Sequence, residues 1–230
     1  MRRSRLLILL CSVTLVVGVV IFAFVAPKTM HRWFSPKPNF TITQIYSSHD
    51  EDHDGINDTQ DLLNGARAEV ARNPTYHSTY YQGGYPPATE GVCSDLVWRA
   101  FKDTGYDLKA LVDADIQKRT AAYPDVHGKP DPNIDFRRVP NLDVFFKANA
   151  TSLTTTLKPD DEKNLAEWQG GDIVIFGGHS HHIGIVSDKR DADGVPLLIH
   201  NAGGAKEDDG LIYWSDFLAP IVGHYRWPKG

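Results

Sequence analysis

Cys93, His182 and His200 are the residues whose types and surroundings suit covalent chemistry. A thiol nucleophile needs a base to take its proton, and the base needs a third polar group to orient it. Cys93 opens a run in which Val92, Leu96, Val97, Ala100 and Phe101 recur at helical spacing, leaving Arg99, Lys102 and Asp103 for solvent. Thr89, Glu90 and Gly91 precede that run, and Pro86-Pro87 block an earlier start. Cys93 is therefore expected in the first turn of an amphipathic helix. Unpaired backbone N–H groups and the positive end of the macrodipole there favour a thiolate. The competing reading, a cysteine that is only a small buried hydrophobe, stays open on this segment alone.

The histidines belong to a stretch of different period. Asp172–Phe176, His182–Ser187, Pro196–Asn201 and Ile221–Trp227 read as strands, the first announced by Gly170-Gly171. Lys189 to Gly194 is a polar loop ending in Asp-Gly, as expected of a hairpin. If Ser187 stands opposite Val195, His182 stands opposite His200. A shift of two residues still leaves both imidazoles on one face, because side chains alternate with period two. His181 then points away from His182. A zinc cluster of His179, His181 and His182 is disfavoured, since adjacent positions diverge and no second cysteine is at hand. The stretch from Thr75 to Pro87, rich in Tyr, Gly and Pro, leads into the Cys93 helix and should wall the same site; Tyr81 is the tyrosine chosen to stand beside the nucleophile.

The positioning elements follow. Leu62, Leu63, Ala66 and Val70 describe a helix over 59–72, stopped by Asn73-Pro74. Further helices are expected over 108–120 and 141–150, separated by an irregular, proline-containing stretch. A helical first half followed by strands with turn signals between them indicates an α+β domain with an antiparallel sheet.

Before this domain, Arg2, Arg3 and Arg5 precede an uncharged apolar run from Leu6 to Ala26, long enough to cross a bilayer. Phe24 and Pro27 spoil a cleavage site, so the run reads as a retained signal anchor, with the arginines cytoplasmic and the remainder exported. Cys11 lies inside that run, which leaves Cys93 as the one thiol on the exported side. A lone thiol in an oxidising compartment has no intrachain disulfide to make, which favours a reactive role. The formal charge is −5, and setting aside the leading arginines makes the rest more acidic still. An acidic body without a basic cluster argues against nucleic acid as a partner.

Asp50, Asp52, Asp54, Ile56 (through its backbone carbonyl), Asp58 and Asp61 occupy the ligand positions of an EF-hand-type calcium loop, with Gly55 at the turn. Two features depart from that motif: the last position is Asp rather than Glu, and Phe40 to Tyr46 does not look helical. A solvated acidic linker capping the next helix is the alternative. Any calcium here would be a structural clip; no cofactor is expected for catalysis.

Cys-Ser-Asp-Leu-Val at a helix start, Gly-Asp-Ile-Val-Ile-Phe, His-Ile-Gly-Ile-Val and Leu-Ile-His-Asn together resemble the NlpC-type papain-like cysteine hydrolases of the bacterial cell wall. Tyr-Pro-Asp from Tyr123, and Asn-Ile-Asp-Phe-Arg-Arg-Val-Pro-Asn-Leu from Asn133, resemble within that group a bacterial family catalogued as domain of unknown function 1287. The resemblance implies a papain-like fold, with a helix-borne cysteine packed on an antiparallel sheet, and cleavage of amide bonds in peptidoglycan peptides. It implies Cys93 as nucleophile, His182 as base and His200 as the orienting residue. The segment between the cysteine helix and the first strand is longer than is typical of NlpC-type enzymes, and Phe136 stands where the narrower family has a histidine. The expected organisation is a signal anchor over 1–26, a tether over 27–48, the acidic loop over 49–61 and the hydrolase domain over 62–230, held at the bacterial cytoplasmic membrane and facing the periplasm. A catalytically silent cell-wall-binding module and a thiol-dependent acyltransferase are the alternatives.

Overall fold

Apolar periodicity switches from helical to alternating about two-thirds along the chain, and the computed structural model divides at the same point. It describes residues 40–178 and 181–229; the expected anchor lies outside them. The helices are α1 (Asp58–Arg72), α2 (Cys93–Asp103), α3 (Leu108–Arg119), α4 (Val139–Asn149), the short α5 (Glu162–Ala166) and α6 (Gly210–Tyr213). Asn57 caps α1 by accepting the Gln60 N–H, and Asn73 ends it in the left-handed region just before Pro74. A two-residue parallel bridge, β1 (Thr75–Tyr76) with β2 (Glu90–Gly91), brings the tyrosine-rich loop back to the start of α2.

The main sheet has six strands, all pairings antiparallel, in the order β3 (Thr151–Ser152), β8 (Ile221–Arg226), β4 (Ile173–Phe176), β5 (His182–Arg190), β6 (Pro196–Asn201), β7 (Ala205–Asp208). β4 is buried along its whole length because both sheet faces are covered. Ile173, Ile175, Ile183, Ile185 and Ile199 pack with Leu62, Leu96, Val97 and Phe101 of α1 and α2. Val174, Phe176, Val186 and Leu198 face the other way, toward Leu165, Trp168 and Leu211. The sheet is thus held by two apolar layers of alternate residues, an α+β domain.

Two expectations change here. The tether gives way to packed chain from Phe40: Phe40 and Ile42 join the second apolar layer, and the Gln44 side chain bonds both the N–H and the C=O of Gly170. Arg99 is not left for solvent. It is buried, paired with Glu69 of α1, and donates to the Glu90 and Pro87 carbonyls at 2.8 and 3.0 Å. The α1–α2 interface needs that charge because Glu69 is buried in it, and a buried carboxylate without a partner is costly.

Candidate functional site

Cys93 is the first residue of α2, as its neighbours dictate: extended Val92 precedes it, and Asp95 reaches back to accept the Val92 N–H at 2.8 Å. Asp95 is fully buried and saturated. It also takes the Trp98 indole N–H at 3.0 Å and a two-pronged bond from Arg137, at 2.7 and 2.8 Å. Arg137 spends its remaining prong on the Thr79 carbonyl, so one buried ion pair ties the tyrosine-rich loop to the start of α2. The Cys93 thiol lies against the backbone N–H of Ile183, the residue that follows His182 at the head of β5. Both Cys93 and His182 are buried, at 6% and 3% exposure.

β5 and β6 pair with Ile185 opposite Ile199, two residues away from the expected register, which leaves Gly184 rather than His182 across from His200. The two imidazoles share a face and meet on the diagonal, with His182 Nε2 2.8 Å from His200 Nδ1 and rings 5.0 Å apart edge to face. His200 Nε2 is 3.1 Å from Asp208 Oδ1 on β7. Burial acts to raise the Asp208 pKa, but hydrogen bonds from Lys206 and His200 outweigh it and hold the carboxyl below its usual range. Ionised Asp208 can only accept, which assigns the protons along the line. His200 carries its hydrogen on Nε2, its Nδ1 accepts from His182 Nε2–H, and the lone pair of His182 is left on Nδ1. Trp214 lies flat on the His182 ring at 4.1 Å and 8°, fixing its plane. A Cβ at residue 210 would come within 2.8 Å of His200 Nε2 and 3.0 Å of Asp208 Oδ1, so only glycine leaves that bond intact.

The electrostatics correct the thiolate expectation. Burial pushes the Cys93 thiol up to about 11, against the opposing pull of the Ile183, Ser94 and Cys93 backbone N–H groups. Burial, then the charges of His200 and Lys206, pushes His182 down to about 3. His200 is lowered by burial as well, with Asp208 opposing. Desolvation of both partners exceeds what the helix start offers, so the resting pair is a neutral thiol and a neutral imidazole. Such a pair can still work as nucleophile and base if the proton moves as the sulfur attacks.

Tyr81 does not stand beside the nucleophile. Its hydroxyl is bonded to Glu90 and its ring lies under Arg137, 5.0 Å from the guanidinium. Tyr76, on β1, pairs with Gly91 two residues before Cys93 and is exposed. A cleft lined by His200, Lys206, Asp208, Tyr213, Trp214 and Leu218 opens beside the two histidines. His181, just before β5, is exposed while His182 is buried; His179 lies outside the described residues. In the acidic loop, oxygens of Asp50, Asp52 and Asp54 lie within 4.8 Å of one another. Asp58 and Asp61 are buried in the first turn of α1, and Ile56 is exposed. No helix enters the loop: residues 40–49 contain none.

Asp208 and Trp214 are members of the group that sequence reasoning missed. Asp208 carried a signal: Gly203-Gly204 makes a turn after β6, and a return strand puts Lys206 opposite His200 with Asp208 on the same face. Trp214 belongs to a π-helical turn, Trp214–Leu218, that no apolar period announces.

A family model described as "Domain of unknown function (DUF1287)" matches residues 63–227. The chain belongs to the DUF1287 family. A DUF1287 chain similar to it is "Uncharacterized protein YijF" of Escherichia coli (strain K12), 36% identical over 219 residues, which cover 91% of this chain and 97% of that protein. No solved structure matches the chain. The matched region contains every residue of the Cys93–His182–His200–Asp208 group, so the DUF1287 core and the candidate site coincide.

Proposed function

We propose that this DUF1287 protein is a cysteine amidase or peptidase of NlpC-like, papain-like architecture that cuts amide bonds in peptidoglycan peptides. The observation that carries the reading is the hydrogen-bonded line Asp208–His200–His182, which leaves an unprotonated ring nitrogen on the residue next to the amide that touches the Cys93 thiol. Cys93 Sγ attacks the carbonyl carbon while its proton passes to His182 Nδ1. The tetrahedral oxyanion is held in part by the Cys93 backbone N–H, and His182 returns the proton to the leaving amine. Water, losing a proton to His182, then splits the thioester to a carboxylic acid and regenerates the thiol. His200 and Asp208 keep His182 in the productive tautomer and Trp214 keeps it in plane.

The run Leu6–Ala26 behind Arg2, Arg3 and Arg5 supports an exported domain anchored in the cytoplasmic membrane. Among the described residues no helix is long and apolar enough to cross a membrane. Full-length protein should stay in the membrane fraction after a carbonate wash with its N-terminus intact.

A catalytically silent wall-binding module is the second reading, favoured by the burial of the thiol and by the neutral state of the pair. Mass spectrometry of purified cell-wall fragments, incubated with wild-type protein or with Cys93→Ala, separates the two. New amine and carboxyl ends that need Cys93 support the hydrolase; identical fragments from both, with binding retained, leave the silent module.

A further inference from the structure

The loop 50–61 lies outside the chemistry above, and it concentrates negative charge. Asp50, Asp52 and Asp54 bring oxygens within 4.8 Å of one another. Two oxygens on one calcium ion, each at about 2.3–2.6 Å, stand at most about 5 Å apart, so these oxygens fit a single coordination sphere. Among the described residues none of Asp50, Asp52, Asp54, Asp58 and Asp61 makes an ion pair with Lys or Arg. Crowded carboxylates alone are common on surfaces, and what sets this group apart is Asp61. It is 5% exposed, and among the described residues its buried Oδ2 has no hydrogen-bond partner. Counted from Asp50 it stands at the twelfth position of the loop, in the first turn of the helix that the loop runs into. Asp50 Oδ1 is likewise buried and unpartnered. A native structure seldom leaves such buried oxygens without a partner.

We propose that residues 50–61 form a calcium site, with carboxylate oxygens of Asp50, Asp52, Asp54 and Asp61 and the Ile56 carbonyl as ligands. Asp58 supports the loop from within: its Oδ1 accepts the Glu51 N–H at 2.9 Å. Gly55, at φ +91°, turns the chain so that its N–H reaches Asp50 Oδ2 at 3.0 Å. The ion's place is structural. The loop runs straight into α1, and Tyr106, just beyond α2, has its hydroxyl in the field of Asp58 and Glu51. Calcium would therefore clamp the start of α1 to the end of the cysteine-bearing helix. Calcium is preferred to magnesium because many flexible oxygen ligands, a backbone carbonyl among them, suit the larger ion.

The test uses the full-length protein, stripped with EDTA and titrated with calcium chloride or magnesium chloride, followed by calorimetry and thermal melting. Calcium should bind with one site per chain and raise Tm by on the order of 5 °C at a hundredfold excess over Kd. Asp61→Asn should separate the two states. In EDTA it should melt higher than wild type, because a buried repulsion is removed; with calcium it should lose the rise and bind at least tenfold more weakly. Asp52→Asn, at an exposed position that cannot upset the core, should also weaken calcium at least tenfold. No heat and no Tm shift at millimolar calcium in folded wild type would overturn the site. An equal response to magnesium would overturn the choice of calcium. The outcome is independent of the hydrolase reading, since no residue of the loop belongs to the Cys93 group.

Discussion

His182 and His200 are joined by a 2.8 Å Nε2–Nδ1 hydrogen bond although they do not face each other across the ladder. The line continues to Asp208, which lies on the same face of β7 as Lys206, the residue paired with His200, so the tautomer of both rings depends on that carboxylate.

Asp208→Asn should expose this dependence. The amide can donate to His200 Nε2, which reverses the proton order and puts the hydrogen of His182 on the nitrogen meant to act as base. Turnover of a cell-wall peptide should fall by about 10- to 100-fold with KM little changed and Tm close to wild type. Unchanged kcat would remove Asp208 from the site.

Gly210→Ala reaches the same bond sterically. A methyl at 2.8 Å from His200 Nε2 must displace the ring or the carboxylate, so kcat should drop while circular dichroism stays native.

The buried neutral pair predicts an unusual pH profile. With His182 held down to about 3, the base is available across mild acid, so kcat/KM should not decline between pH 7.5 and 5. A midpoint near 6.5 would mean a solvated imidazole. Stability carries the same sign. A histidine whose folded pKa is depressed contributes stability that is present above about pH 6.5 and lost as pH falls toward 3. The stability difference between wild type and His182→Gln should shift in favour of the variant over that interval.

Alkylation by iodoacetamide tests the thiol itself. Since burial raises Cys93 to about 11, labelling should rise with pH and remain incomplete where a free cysteine, pKa about 8.5, reacts fully. His182→Ala should slow labelling at pH 7 further, and His181→Ala, at the exposed position before β5, should change little.

Arg137→Met leaves Asp95 charged and buried at the head of α2. Urea denaturation should report a loss on the order of 3–5 kcal/mol, only partly recovered when Asp95 is replaced by Leu in the same chain, because the Val92 and Trp98 N–H groups then lose their acceptor. A loss under about 1 kcal/mol would show that water reaches the pair.

Sequence periodicity located α1 to α4 and the four long strands within a few residues, because each carries an apolar face on a regular period. Strand parity likewise put His182 and His200 on one face, and the one thiol outside the apolar N-terminal run drew attention to Cys93. What escaped was set by long-range partners. Arg99 reads as a surface residue until Glu69 of another helix is known to be buried against it. Tyr81 reads as a neighbour of the thiol until its hydroxyl is seen bonded to Glu90 and its ring under Arg137. The thiolate expectation failed because a helix dipole can be read from sequence, whereas the depth at which its first turn is buried cannot.

The sheet order has a consequence for how the chain is made. β8 is last in chain order yet lies between β3 and β4, not at an edge. Until residues 221–226 have emerged, β4 has a bare flank and β3 has nothing to pair with. The sheet therefore cannot be completed strand by strand behind a ribosome or a translocation pore; it closes in one late step, by insertion. A nascent chain halted before Ile221 would carry Cys93, both histidines and Asp208 on an unclosed sheet, so the group gains its finished support only when β8 inserts.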